Sequence, residues 1–258
     1  MMAGCKIESI GVKLPDKTVS TAEITSRLGI SVPLRLELMT GIARRRVCGD
    51  GEDSLTLAAD AARDCFHYSR YKPQEIEMLI CCSISKYVNG LNHFYEPPLS
   101  TLLKQKIGCP QALNFDISNT CAGMMTGLHI ANNFISGGTV RNCLVVSGEY
   151  ITSISNNAEK NIDTPGHPEI ASLTVGDAGA AVILSRTQKE EAPILWSELI
   201  TLSKYSDLCQ GNQDPVFAGA TMRTNMQKIH EVSILHAPRF IDDALKKVGW
   251  TMKDIDFL

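Results

Sequence analysis

Cys121 is framed by residue types that suit a nucleophile. It sits in the run Asn114-Phe115-Asp116-Ile117-Ser118-Asn119-Thr120-Cys121-Ala122-Gly123-Met124-Met125. Ala112 to Ile117 reads as a strand, apolar except for Asn114 and Asp116. Ser118, Asn119 and Thr120 are all types that cap helix starts. Met124, Met125, Leu128, Ala131 and Ile135 then recur at helical spacing, and Gly137-Gly138 is a stop signal. Ile130 and Phe134 widen the stripe, so this helix is expected to be buried on most sides. A thiol at such a junction meets unpaired N–H groups and the positive end of the helix dipole. Both favour thiolate, the nucleophilic form. The same N–H groups could hold an oxyanion forming on an attacked carbonyl. Ala122, Gly123 and Gly127 keep the first turns thin, admitting another backbone or a narrow substrate arm. The competing reading is a buried structural cysteine.

Other residues invite chemistry less directly. Arg44-Arg45-Arg46 is either a solvated face or a contact for a phosphate-bearing substrate arm. The loop Leu91-Asn92-His93-Phe94-Tyr95-Glu96-Pro97-Pro98 has an aromatic, polar tip. His129 lies two turns past Cys121, about 12 Å along the helix. His67, His167, His230 and His236 read as structural or surface residues. Glu149 reads as a strand-end residue.

The elements that must position these groups follow from composition and pattern. With 258 residues, 44% apolar and 21% charged, the chain can bury a core as one large domain or two small ones. A net charge of −3 leaves no basic footprint for nucleic acid. Met1 to Leu14 mixes charges with short apolar pieces, unlike a signal peptide, and no run has the length of a membrane span. Nine cysteines without a CxxC pair argue for a reducing compartment, with the cytoplasm as default. They argue equally against a disulfide framework and a zinc or other metal site.

Lys6 to Val12 alternates like a strand, and Ser20 or Thr21 caps a short helix to about Arg27. Asp53 or Ser54 caps an amphipathic helix from Leu55 to about Tyr68. Ile76–Cys82 and Cys143–Ser147 read as buried strands, and Ser100–Ile107 as a short helix. Asn156–Glu169 is polar and reads as a surface excursion. Leu173–Leu184 reads as a turn between strand-like runs, with backbone tightly packed at its small residues. Strands alternating with helices indicate an α/β layered fold. Tyr71-Lys72-Pro73-Gln74-Glu75-Ile76-Glu77-Met78-Leu79 resembles Trp250-Thr251-Met252-Lys253-Asp254-Ile255-Asp256-Phe257-Leu258, each after an amphipathic helix. The pattern suggests a duplicated unit whose second copy is only beginning near Leu258, leaving an open sheet edge.

Asn119-Thr120-Cys121-Ala122-Gly123, with Phe115-Asp116 before it, resembles the active-site segment of β-ketoacyl-acyl-carrier-protein synthase III, in the thiolase superfamily. Thr40-Gly41-Ile42-x-x-Arg45, Val145-Val146-Ser147-Gly148 and Gly176-Asp177-Ala178-Gly179-Ala180-Ala181-Val182 are similar to further motifs of that family, in its order. The resemblance implies a thiolase-like α/β fold: duplicated βαβαβαββ halves in α-β-α-β-α layers, usually a homodimer. Residues 1–187 would form the half carrying the nucleophile and residues 188–258 the start of an incomplete second half. It implies Cys121 as the residue that takes an acyl group from an acyl-coenzyme A or acyl carrier protein thioester. Arg45 would contact that substrate's arm, and no cofactor would be bound permanently. A His and an Asn of the second half then serve a decarboxylative Claisen condensation in fatty acid or related lipid synthesis. Their places would fall after Leu258.

Two departures open alternatives. Arg35 and Met39 stand where initiating synthases often carry a Trp and an Arg against the coenzyme A adenine. Tyr95-Glu96-Pro97 and Leu208-Cys209-Gln210-Gly211-Asn212 resemble the branch that joins two acyl-coenzyme A chains head to head without decarboxylation. There Glu96 would act as a base supplied across a dimer. A further alternative is a chain that accepts or binds acyl groups without condensing them.

Overall fold

The apolar runs around Ile80, Val145 and Ile183 form the middle of a sheet, and amphipathic stretches between them cover its two faces. The computed structural model describes residues 4–30, 35–188 and 191–256. The first elements are β1 (Cys5–Lys13), β2 (Thr18–Ser20), α1 (Thr21–Ser26), α2 (Leu36–Thr40), β3 (Arg44–Arg46) and α3 (Ser54–His67). Next come β4 (Met78–Cys81), β5 (Tyr87–Val88), β6 (Asn92–His93), α4 (Leu99–Ile107), β7 (Leu113–Asp116) and α5 (Gly123–Ser136). Then follow β8 (Asn142–Glu149), α6 (Ser153–Asn161), β9 (Ala178–Arg186), β10 (Cys209–Gln213), β11 (Ala220–Thr224) and α7 (Met226–Lys247).

Five strands form the central sheet in the order β1-β9-β8-β4-β7. β4 runs parallel to β7 and β8, whereas β9 is antiparallel to β8 and β1. Every residue of β4 is buried, as expected of a strand covered on both faces. Leu79 and Cys81 point to the face covered by α3 and α4, and Met78 and Ile80 to the face covered by α5. Three glycines let α3 lie close on the sheet. A Cβ on Gly11, Gly148 or Gly179 would come within 2.1–2.2 Å of α3 backbone atoms. Asp53 caps that helix, accepting from the Thr56 N–H at 2.8 Å.

Two expectations change. The helix α5 is not buried on most sides: Gly123, Gly127, Ala131 and Ile135 form one buried stripe, and Met125 is 65% exposed. The buried stripe faces β8 and β9, and the flanking positions of the helix are covered only in part. The polar stretch after Asn156 is not a surface excursion throughout. It includes most of α6, whose Ser153, Ile154, Ser155, Asn157 and Ala158 are buried. Asn157 satisfies its amide on the carbonyls of Ala218 and Ala220, at 3.1 and 3.2 Å, which allows a polar sequence to lie inside.

The layering fits the expected α/β fold. Among the described residues there is one five-stranded sheet with helices on both faces, and residues 191–256 add no strand to it. They form the β10–β11 hairpin and α7, none of whose residues is buried. The internal repeat does have a structural counterpart. Pro73–Glu75 and Met252–Asp254 are both single 3-10 turns following an amphipathic helix, and each is closed by its own acidic residue. The strand expected after the second turn reaches Phe257 and Leu258, which lie outside the described residues. No helix among the described residues is long and apolar enough to cross a membrane.

Candidate active site

The site is built where β7 hands the chain to α5. Asp116, the last residue of β7, accepts from the N–H groups of Leu99 and Ser100 at 3.1 and 2.9 Å and from Lys86 Nζ at 2.7 Å. Burial alone would raise this carboxyl, but these hydrogen bonds overturn it and hold the pKa below the usual aspartate value. Ile117 N–H still reaches the Cys81 carbonyl at 2.9 Å, so the strand direction holds to the last possible residue. Thr120 then takes φ +45°, the left-handed region that a β-branched residue rarely adopts. Thr120–Ala122 forms one 3-10 turn before α5 begins at Gly123. The expected caps are not used. Asn119 instead sends its amide to Thr126 Oγ1 at 2.7 Å, and no side chain closes the start of α5.

The thin first turns of α5 admit another backbone. A Cβ on Gly123 would stand 2.9 Å from the Cys82 carbonyl oxygen, and one on Gly127 2.7 Å from Cys82 Sγ. The helix start is thereby pressed against the end of β4. Cys121 emerges beside it, exposed, on the wall of a cavity of about 460 Å³. Ile84, Met124, Glu149, Ile151 and the small residues Ala178 to Ala180 are among the others that line it. Seven of the nine cysteines are buried, leaving Cys121 and Cys209 exposed. Burial pushes the Cys5 and Cys81 thiols up to about 11 and Cys109 to about 12, and drives Cys82 upward too. Those thiols stay protonated near neutrality and are poor nucleophiles.

Glu149 shares the cavity with Cys121, a placement its strand-end position did not announce. Its Oε1 accepts from Ile84 N–H at 2.7 Å and Ser147 Oγ at 2.9 Å. Its Oε2 accepts from Ser85 N–H at 2.9 Å and Ser85 Oγ at 2.6 Å. Burial outweighs these bonds and raises its pKa above the ordinary glutamate value. The sequence signal was a carboxylate closing an otherwise apolar run.

The other expected site residues lie elsewhere. Glu96 is exposed on the loop between β6 and α4 and does not line the Cys121 cavity. Arg45 is turned inward and only 6% exposed, with Nη2 donating to Thr21 Oγ1 at 2.9 Å while Nε and Nη1 lack partners. Burial lowers its pKa, opposed by the charge of Glu159. The period of β3 explains this: Arg44 and Arg46 face solvent and Arg45, between them, cannot. An incoming phosphate would meet Arg44 or Arg46 first. Arg35 and Met39 line a separate, wider hollow with Arg223, His167 and Gln210. His129 is occupied with Ser197 Oγ at 2.8 Å. Among the described residues no cluster of His, Cys, Asp or Glu could hold a metal ion.

Residues 115–203 match the family model of 3-oxoacyl-[acyl-carrier-protein] synthase III. The β-ketoacyl-[acyl-carrier-protein] synthase III of Sulfurimonas denitrificans is 30% identical over 194 residues, covering 75% of this chain and 54% of that protein. The synonymous protein of Rickettsia bellii is 25% identical over 255 residues, covering 98% of this chain and 75% of its own. Over most of its length the chain is similar to proteins named β-ketoacyl-[acyl-carrier-protein] synthase III. Its fold agrees with that of Xanthomonas campestris OleA, at a TM-score of 0.85 and 22% identity over 99% of this chain and 75% of that one. An OleA cysteine variant solved with bound lauric acid and lauroyl-CoA aligns with a TM-score of 0.84 and 22% identity, over 99% of this chain and 77% of that one. The synthase III-like chain thus spans between about half and three quarters of the length of these relatives. The matched family segment contains Cys121 and Glu149 and excludes Arg45 and Glu96.

Proposed function

We propose that Cys121 takes an acyl group from an acyl thioester as the first half of a Claisen condensation. The thiolate attacks the thioester carbonyl, the oxyanion collapses, and coenzyme A or acyl-carrier thiolate leaves, giving a Cys121 thioester. The observation that carries this reading is the position of Cys121: an exposed thiol at a helix start, opening on a cavity lined largely by apolar groups. A mostly apolar cavity suits an acyl chain, and the substrate class agrees with the names of the sequence relatives. The acyl-enzyme then meets a carbanion, from malonyl thioester by decarboxylation or from a second acyl thioester. The second route is the reading in which Glu96 of another copy is the base. Its support is that Glu96 is free on an exposed loop, and that OleA has been solved with lauroyl-CoA and as glutamate variants. The third reading, acyl acceptance without condensation, stops at the acyl-enzyme.

The reading includes a homodimer joined at β7, supported by an open outer strand on which Leu113 is 60% exposed. Nine cysteines and no disulfide among the described residues suit a reducing, cytoplasmic setting. Mass spectrometry after incubation with lauroyl-CoA tests the core of the proposal. The expected result is one acyl mass on the peptide containing Cys121, absent in Cys121→Ala. An unmodified Cys121 peptide would overturn the assignment. Offering malonyl- against acyl-thioester acceptors then separates the condensing readings, and Glu96→Ala is expected to impair only the head-to-head one.

A further inference from the structure

The loop Ser83–Lys86 leaves the end of β4 and forms one side of the Cys121 cavity through Ile84. It is tied down from two directions. On one side Lys86 Nζ reaches Asp116, the residue that ends the strand leading to Cys121. On the other side Glu149 takes the N–H groups of Ile84 and Ser85 and the Ser85 hydroxyl. Ser85 Oγ in turn accepts from Tyr150 N–H at 2.9 Å and lies 3.1 Å from Ser54 Oγ, at the start of α3. The loop is therefore stretched between β8 and β7 across the end of β4, with carboxylates at both anchor points.

Resting on the acyl-transfer reading above, we infer that Glu149 is a positioning residue for that reaction: it holds Ile84 as the cavity wall against which an acyl chain lies. Two features distinguish a brace from a base. An ionised carboxylate offers about four lone-pair positions. Four donors already occupy them, leaving none aimed at a substrate proton. The groups that donate are a backbone amide pair and two hydroxyls, a set that fixes geometry and moves no proton. Burial also raises the carboxyl's pKa, so the brace is most sensitive to acid.

The inference predicts a split between reagents that need the wall and reagents that do not. Iodoacetamide requires only an accessible thiolate, whereas lauroyl-CoA must thread its chain past Ile84. In Glu149→Gln the new NH₂ faces donors it cannot accept from, and acylation of Cys121 by lauroyl-CoA is expected to slow about tenfold, the order set by losing charge-assisted hydrogen bonds. Alkylation by iodoacetamide is expected to stay within about twofold of the parent. Ile84→Ala, which leaves the carboxylate network intact, is expected to show the same split and serves if the Glu149 variants do not fold. Equal slowing of both reagents, or no change in either, would overturn the positioning role. If the parent protein reacts with iodoacetamide but never with lauroyl-CoA, the acyl-transfer reading itself has failed.

Discussion

The helices α3 and α7 are written in the same amphipathic code and meet opposite fates. Both carry apolar residues at helical spacing and both begin after a side-chain cap, Asp53 or Asn225. Seven of the fourteen residues of α3 are buried, and none of the twenty-two of α7. The difference lies in what faces them. Three glycines on β1, β8 and β9 let α3 settle onto a sheet, while α7 meets the Ser203–Leu208 turn and the extended segment around Trp196. Amphipathicity states that a helix has a face to bury; a sheet of matching shape decides whether it does so. In this chain the region 4–188 has that sheet, and the candidate nucleophile stands on it.

Matched substitutions in the two regions test this contrast, beginning with the largest effect. Gly179→Val puts a side chain 2.2 Å from the Leu57 carbonyl oxygen and is expected to cost about 3 kcal/mol or more, seen as lost cooperative unfolding. Gly211→Val, whose nearest neighbour is Thr221 O at 3.8 Å, is expected to leave the melt unchanged. Next, Leu144→Ala removes a fully buried side chain and is expected to cost about 2–5 kcal/mol in urea titration. Leu235→Ala, at a position 69% exposed, should stay within about 0.5 kcal/mol. A large cost at Leu235 would mean that α7 has a partner the contrast denies it.

Helix caps give a smaller difference. Asp53→Ala loses both the Thr56 amide and the Asn89 amide and is expected to lower global stability by about 1–2 kcal/mol. Asn225→Ala is expected to affect only amide exchange in the first turn of α7, since that helix's opening does not require global unfolding. The smallest expected effect is on the acid limb. The folded Asp116 carboxyl titrates below its unfolded value, so its contribution is complete above about pH 4 and disappears as pH falls through the folded pKa. Asp116→Asn should flatten that limb, measured as the urea midpoint against pH.

Much of the first region was legible because local signals agreed there. Asp53 with its downstream stripe, the apolar run at Ile80, and the strand leading into a helical period around Cys121 were each readable from neighbouring residues alone. Less was legible where a distant partner decides. Asn157 is buried because two carbonyls some sixty residues later receive its amide, and no local pattern carries that information. How far α5 is covered depends on what the fold lays over its far side, which its own period does not state. Arg45 is different: the strict alternation of β3 was available in the sequence and would have turned its guanidinium inward. Glu149 was visible as a residue and invisible as a neighbour of Cys121.

The left-handed turn at Thr120 sets two design goals against each other. Conformations of that kind cost about 1–3 kcal/mol in residues other than glycine. A selection for heat resistance alone would therefore favour glycine there, and the melting temperature would rise. The same exchange would release the torsion that aims the neighbouring sulfur, so the more durable protein is expected to be the poorer acceptor.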